Sequence, residues 1–158
     1  MRATLSRNSV IVLLLAALAF PAFSSARADE MTCPEHTPVT IDIKPGTFPN
    51  RITLLSFGVV PVAVLTTNDF DANQFTPEMA HLTDAANAMV NGCAGATAAR
   101  WTRGDVNGDG LRDLVFFFNT QDLDLTSSST AATLMAHGVY GSLGTIHIMG
   151  TDSVKVKP

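Results

Sequence analysis

The chain is poor in the residue types that most enzymes and many binding proteins rely on. It has two cysteines, one tryptophan, one tyrosine and four histidines in 158 residues, and only 15% of its residues are charged. Lysine and arginine are scarce, 10 against 14 aspartates and glutamates, for a formal charge of −4. Setting aside Arg2, Arg7 and Arg27 leaves 7 basic residues against 14 acidic ones, or −7. Such a balance argues against the phosphate contacts on which nucleic-acid binding rests. There is no Cys-x-x-Cys pair and no phosphate-cradling glycine loop. Gly141-Ser142-Leu143-Gly144 is one residue short of the nucleophile-elbow spacing, which gives a hydrolase no motif to stand on. His36, His81, His137 and His147 are scattered, with no pair at i+2 or i+4, and read as surface or partly buried residues rather than as a zinc or copper site.

Long apolar runs are also missing. The uncharged stretch Val10–Phe20 falls well short of the roughly 20 residues needed to span a bilayer. Preceded by Arg2 and Arg7 and followed by Pro21 and Ala26-Arg27-Ala28, it has the three-part layout of a Sec-type signal peptide cleaved after Ala28. The expected product, residues 29–158, is about 130 residues long, the size of one domain, and is periplasmic or secreted with no membrane anchor. Cys33 and Cys93 both fall in that exported body, where thiols oxidise, so one disulfide is the economical reading and two free thiols the alternative.

Several short stretches alternate apolar and polar residues at period two. They are Val39–Ile43 before Pro45-Gly46, Arg51–Leu55, and Ser153–Val156. Val59–Leu65 is β-branched but carries Pro61, which suggests an edge strand or a bulge. Leu114–Phe118 is a continuous apolar run, Thr145–Met149 is mixed, and the Ser/Thr-rich Asp124–Thr130 reads as a loop. Around residues 77–90, Pro77 and the spacing of Met79, Leu82, Ala86 and Met89 predict one short helix. The fold class expected is all-β, an antiparallel β-sandwich with Greek-key-like connections.

One segment carries specific chemistry. Asp105-Val106-Asn107-Gly108-Asp109-Gly110-Leu111-Arg112-Asp113 places oxygen side chains at positions 1, 3 and 5, a glycine at 6 for the sharp turn, the Leu111 carbonyl at 7 and a carboxylate at 9. The donors are all hard oxygens, a set that prefers Ca²⁺ over Zn²⁺ or Cu²⁺. Phe116 stands where an EF-hand would place its bidentate glutamate, so the loop reads as the nine-residue form running into a strand. Asn-Gly and Asp-Gly are also common hairpin-turn pairs. A plain turn, however, has no reason to gather three mutually repelling acids at positions 1, 5 and 9. Asp69-Phe70-Asp71-Ala72-Asn73 lacks both the glycine and the ninth acid and reads as a surface turn.

Taken in order, Ile41-Asp42-Ile43-Lys44-Pro45-Gly46, Pro49-Asn50, Gly58–Thr67, Phe70-Asp71-Ala72, Asp105–Leu114 and Gly150-Thr151-Asp152-Ser153-Val154 resemble an uncharacterised domain family of bacterial exported proteins. The resemblance spans Val39–Val156. It implies a secreted β-rich domain with a calcium loop, and it implies no activity. Ala85–Trp101 is longer and richer in alanine than that pattern, and Thr126–Ala132 has Ser and Thr where an acidic stretch is expected.

The function expected is a non-catalytic calcium-binding module, structural or adhesive, whose extracellular partner is a polysaccharide or another exported protein. A carbohydrate-binding module using the calcium, with Trp101 as stacking platform, is the alternative, and a hydrolase of unknown substrate is the third reading. Phe48, Phe57, Phe70, Phe75, Phe116, Phe117 and Phe118 read as core residues rather than sugar platforms.

Overall fold

The computed structural model describes residues 35–88 and 94–158. The expected signal peptide, Cys33 and Cys93 lie outside the described residues. The strands are β1 (Thr37–Pro38), β2 (Ile41–Ile43), β3 (Arg51–Thr53), β4 (Val59–Val64), β5 (Phe75–Asp84), β6 (Ala96–Thr97), β7 (Arg100–Gly104), β8 (Asp113–Asn119), β9 (Ala131–Tyr140), β10 (Thr145–Ser153) and β11 (Lys155–Lys157). Short 3₁₀ turns at Ala72–Gln74 and Thr120–Asp122 are the only helical segments among the described residues.

These strands form a β-sandwich. One sheet has the order β1-β10-β9-β5-β6 and the other β2-β4-β8-β7, with a small β11-β3 ribbon beside them. The chain crosses between the two larger sheets after β1, β4, β6 and β8. Most pairings are antiparallel as expected, but β1 joins β10 and β11 joins β3 in parallel. Ile43, Val62, Val64, Leu114, Phe116 and Phe118 from one sheet share a single core with Phe75, Ala80, Leu82, Leu134, Ala136 and Ile148 from the other. Burying a side chain of this size contributes about 1.5–3 kcal/mol, so this shared core is the main reason the sandwich closes. The apolar run of β8 reflects its inner position: Leu114, Phe116 and Phe118 point into the core, while Phe117 on the other face lies under the Arg100 guanidinium at 3.6 Å.

Phe48 and Phe57, expected in the core, are instead exposed, at 90% and 94%, on the turns that flank β3. Pro61 is not on an edge strand, since β4 lies between β2 and β8. Its carbonyl accepts from the Lys44 amide, on the β2 side. The missing N–H would point the same way, where β2 has already ended at Ile43, so no ladder bond is lost.

The helix expected around residues 77–90 does not form. Residues 75–84 are strand β5, residues 85–88 are a turn, and Met89 lies outside the described residues. A β-bulge between Pro77 and Met79 makes Glu78 an extra residue, because Pro77 opposes Gly138 while Met79 opposes His137. The bulge shifts the inward phase from Phe75 and Pro77 to Ala80 and Leu82. The Met79–Leu82 spacing therefore imitated a helix although Met79 is exposed and Leu82 is buried. Strand β9, rich in Ala, Leu and Met, carries no strong strand signal of its own; it forms because β5 and β10 cover both its edges.

The bulge requires the glycine opposite it. A Cβ on Gly138 would lie 2.8 Å from the Pro77 Cα, and closer still to the Thr76 carbonyl. Gly138→Ala is therefore expected to destabilise by roughly 1–3 kcal/mol through overpacking. Urea unfolding checks this, and an unchanged midpoint would count against the bulge.

Candidate functional site

Residues 105–112 connect β7 to β8 as a hairpin loop closed by the register pair Gly104 and Asp113. The loop winds around its own acceptors. One Asp105 oxygen accepts from the Gly108 amide at 2.7 Å and the other from the Gly110 amide at 2.9 Å. The Asn107 side-chain oxygen accepts from the Asp109 amide at 3.1 Å, and Asp109 accepts from the Leu111 amide at 2.8 Å. Asn107 Nδ2 also donates to Asp109 Oδ2 at 2.8 Å. Gly108 and Gly110 have φ of +79° and +85°, the left-handed region that glycine occupies without steric cost.

Asp105, Asn107, Asp109 and Leu111 are exposed, whereas Asp113 is fully buried at 0%. Its two oxygens accept from the backbone amides of Thr66 at 2.9 Å and Val106 at 3.0 Å. Asp113 therefore ties the end of the loop to the chain leaving β4. Among the described residues no three histidine, cysteine, aspartate or glutamate side chains converge on a single point. The donors of the loop are nonetheless all oxygen, and each loop amide named here already has an acceptor. That set fits a hard cation.

Segment 66–74 braces the same loop. Thr66 Oγ1 donates to the Arg112 carbonyl at 2.6 Å and accepts from the Ala72 amide at 3.1 Å, and Asn73 Nδ2 reaches the same carbonyl at 2.9 Å. Asp71 caps the 3₁₀ turn, and hydrogen bonds from Gln74 and Asn73 hold its carboxyl below the usual range. Phe70 is buried and stacks on Tyr140 with ring centroids 5.0 Å apart. The segment that reads as a surface turn is thus a support for the candidate site.

The remaining family-like blocks meet elsewhere. Asp152 Oδ2 accepts from the Ile43 amide and from Asn50 Nδ2, both at 2.9 Å, and Asn50, 4% exposed, also donates to the Ser153 carbonyl. Asp42 lies close enough for the Asp152 charge to act on it. Burial first, and that charge second, raise the Asp42 carboxyl above its ordinary 3.8. A raised acid is one the folded chain keeps protonated to higher pH than the unfolded chain does. Stability is therefore lost as pH rises from 3.8 through the folded value and stays lower above it. Asp42→Asn should raise Tm at pH 7 and change it far less at pH 3, where the group is largely protonated in both states. Thermal scans at the two pH values test this, and equal shifts at both would refute it.

Trp101 sits on edge strand β7 opposite Phe116 and is 42% exposed. The Arg103 guanidinium lies 4.9 Å from its ring centroid and donates to the Phe75 carbonyl at 2.8 Å. A cavity of about 140 Å³ opens beside Trp101, between Pro77, Ala80 and Phe116. A stacked sugar would have to use the indole face that Arg103 leaves free.

The structure also gathers residues that the sequence leaves scattered. All four histidines, together with Met79 and Met135, line one cavity of about 220 Å³ on the outer face of the five-stranded sheet. Strand register is what could have revealed this, and it is not visible in linear spacing. Among the described residues, no helix is long and apolar enough to cross a membrane.

No family model and no curated protein matches the chain. Among solved structures it is similar to a bacterial immunoglobulin-like domain from the M. primoryensis ice-binding adhesin, at 18% identity and a TM-score of 0.39, over 77% of this chain and 99% of that one. It is also similar to a structure described as a Ca²⁺-stabilized adhesin that helps an Antarctic bacterium reach out and bind ice, at 19% identity and a TM-score of 0.37. That match covers 78% of this chain and 25% of the other. Similarity of this degree carries no argument about function.

Proposed function

We propose that the protein is an exported, non-catalytic β-sandwich module stabilised by calcium, with a structural or adhesive role toward a polysaccharide or another exported protein. Asp105, Asn107, Asp109 and the Leu111 carbonyl would hold the ion, with Asp113 closing the site from the core side. The observation that carries this reading is the way the loop is wound. Asp105 accepts two amides from within the loop, and Asn107 and Asp109 accept one each, so the oxygen-bearing side chains at positions 1, 3 and 5 all belong to one tightly wound turn before the chain becomes extended at β8. Bound calcium would neutralise the repulsion among the acids and pin the β7–β8 hairpin. Affinities of about 10⁻⁴ to 10⁻³ M are typical of extracellular modules and suit a constitutive structural ion. Calorimetric titration with Ca²⁺ tests the reading: one site is expected in the native chain and none in Asp109→Ala.

A further inference from the structure

The outer face of the five-stranded sheet carries a second, chemically different cluster. Alternation along β9 and β10 turns Ala136 and Ile148 into the core and His137 and His147 outward. His147 and His137 are direct register partners, and His137 in turn pairs with Met79. His36 immediately precedes β1, whose Thr37 pairs with Ile148, and this places its ring against His147. One row therefore crosses four strands as His36, His147, His137 and Met79. The next row on the same face brings Met135 opposite His81.

The rings are close. His36 and His147 have centroids 5.8 Å apart, and His137 and His147 5.5 Å. With metal–nitrogen bonds of about 2.0–2.1 Å, two imidazoles sharing a tetrahedral ion have centroids roughly 5 Å apart. As the side chains stand, no three of them converge on one point, so binding requires rotation about χ1 and χ2 to bring the rings that flank His147 onto a shared ion. Glu78, the extra residue of the bulge, holds Oε2 at 3.8 Å from His137 Nε2. A carboxylate in that place can orient an imidazole ligand.

We propose that His36, His137 and His147 bind a late first-row transition ion, copper most tightly, with Met79 as an adjacent thioether donor. Imidazole and thioether are borderline-to-soft ligands that discriminate against Ca²⁺ and Mg²⁺, and the divalent affinity order peaks at Cu²⁺. The site is independent of the loop at residues 105–113 and does not rest on the calcium reading.

The test is titration of the untagged, signal-free chain with Cu²⁺ in a weakly coordinating buffer, followed by calorimetry and by the nitrogen hyperfine structure of the Cu²⁺ spin-resonance spectrum. One ion per chain, bound through nitrogen, is expected. His147→Gln should weaken binding at least 100-fold, and Asp109→Ala should leave it unchanged. His36→Gln lies outside the sheet interior and should weaken binding about tenfold or more, which keeps the test valid if His147→Gln unfolds. Cu²⁺ bound equally well by native chain and His36→Gln, or no binding at micromolar ion, overturns the proposal.

Discussion

Replacing Asp113 with alanine is expected to lower the unfolding free energy by roughly 2–4 kcal/mol, with or without calcium, because two amide donors lose a buried acceptor. The carboxylate is fully buried, and its partners belong to different segments, Thr66 after β4 and Val106 inside the hairpin loop. Alanine would leave the Thr66 amide, itself in a buried bond, without an acceptor. Asp113→Asn keeps the shape but turns an NH₂ group toward an amide donor, and should cost about half as much. Urea unfolding in excess chelator measures this contribution without the metal. A loss below about 1 kcal/mol for Asp113→Ala would show that the clasp is not what joins the loop to the core.

Calcium itself should act through linkage. At 10 mM Ca²⁺ and a dissociation constant of about 10⁻⁴ M, the folded state gains about 2.7 kcal/mol, or on the order of 10 °C in Tm for a domain of this size. Asp109→Ala should abolish that rise and yet melt like the native chain in chelator, because Asp109 and its partners are exposed. The two substitutions thus separate the roles of the two acids: Asp113 stabilises the fold in every condition, and Asp109 only when the ion is present. Superimposable melting curves in chelator and in millimolar Ca²⁺ would remove calcium from the account.

Wherever local chemistry decides the outcome, the sequence alone was sufficient. Alternation in Ile41–Ile43 and the apolar run of β8 identified strands, because burial on one face or on both leaves its period in the residues. The glycines and acids of residues 105–113 identified a tightly wound loop, because left-handed φ and amide-accepting side chains act over a few residues. Tertiary structure decided the rest. Glu78 became a bulge residue only because β9 fixed the register on either side of it, which turned an apparent helical period into strand β5. Asp113 became a buried clasp only when β4 brought Thr66 to it from 47 positions away. The four histidines became neighbours because β1, β5, β9 and β10 lie side by side, and side-chain contact across a sheet depends on strand order and register, neither of which linear spacing records.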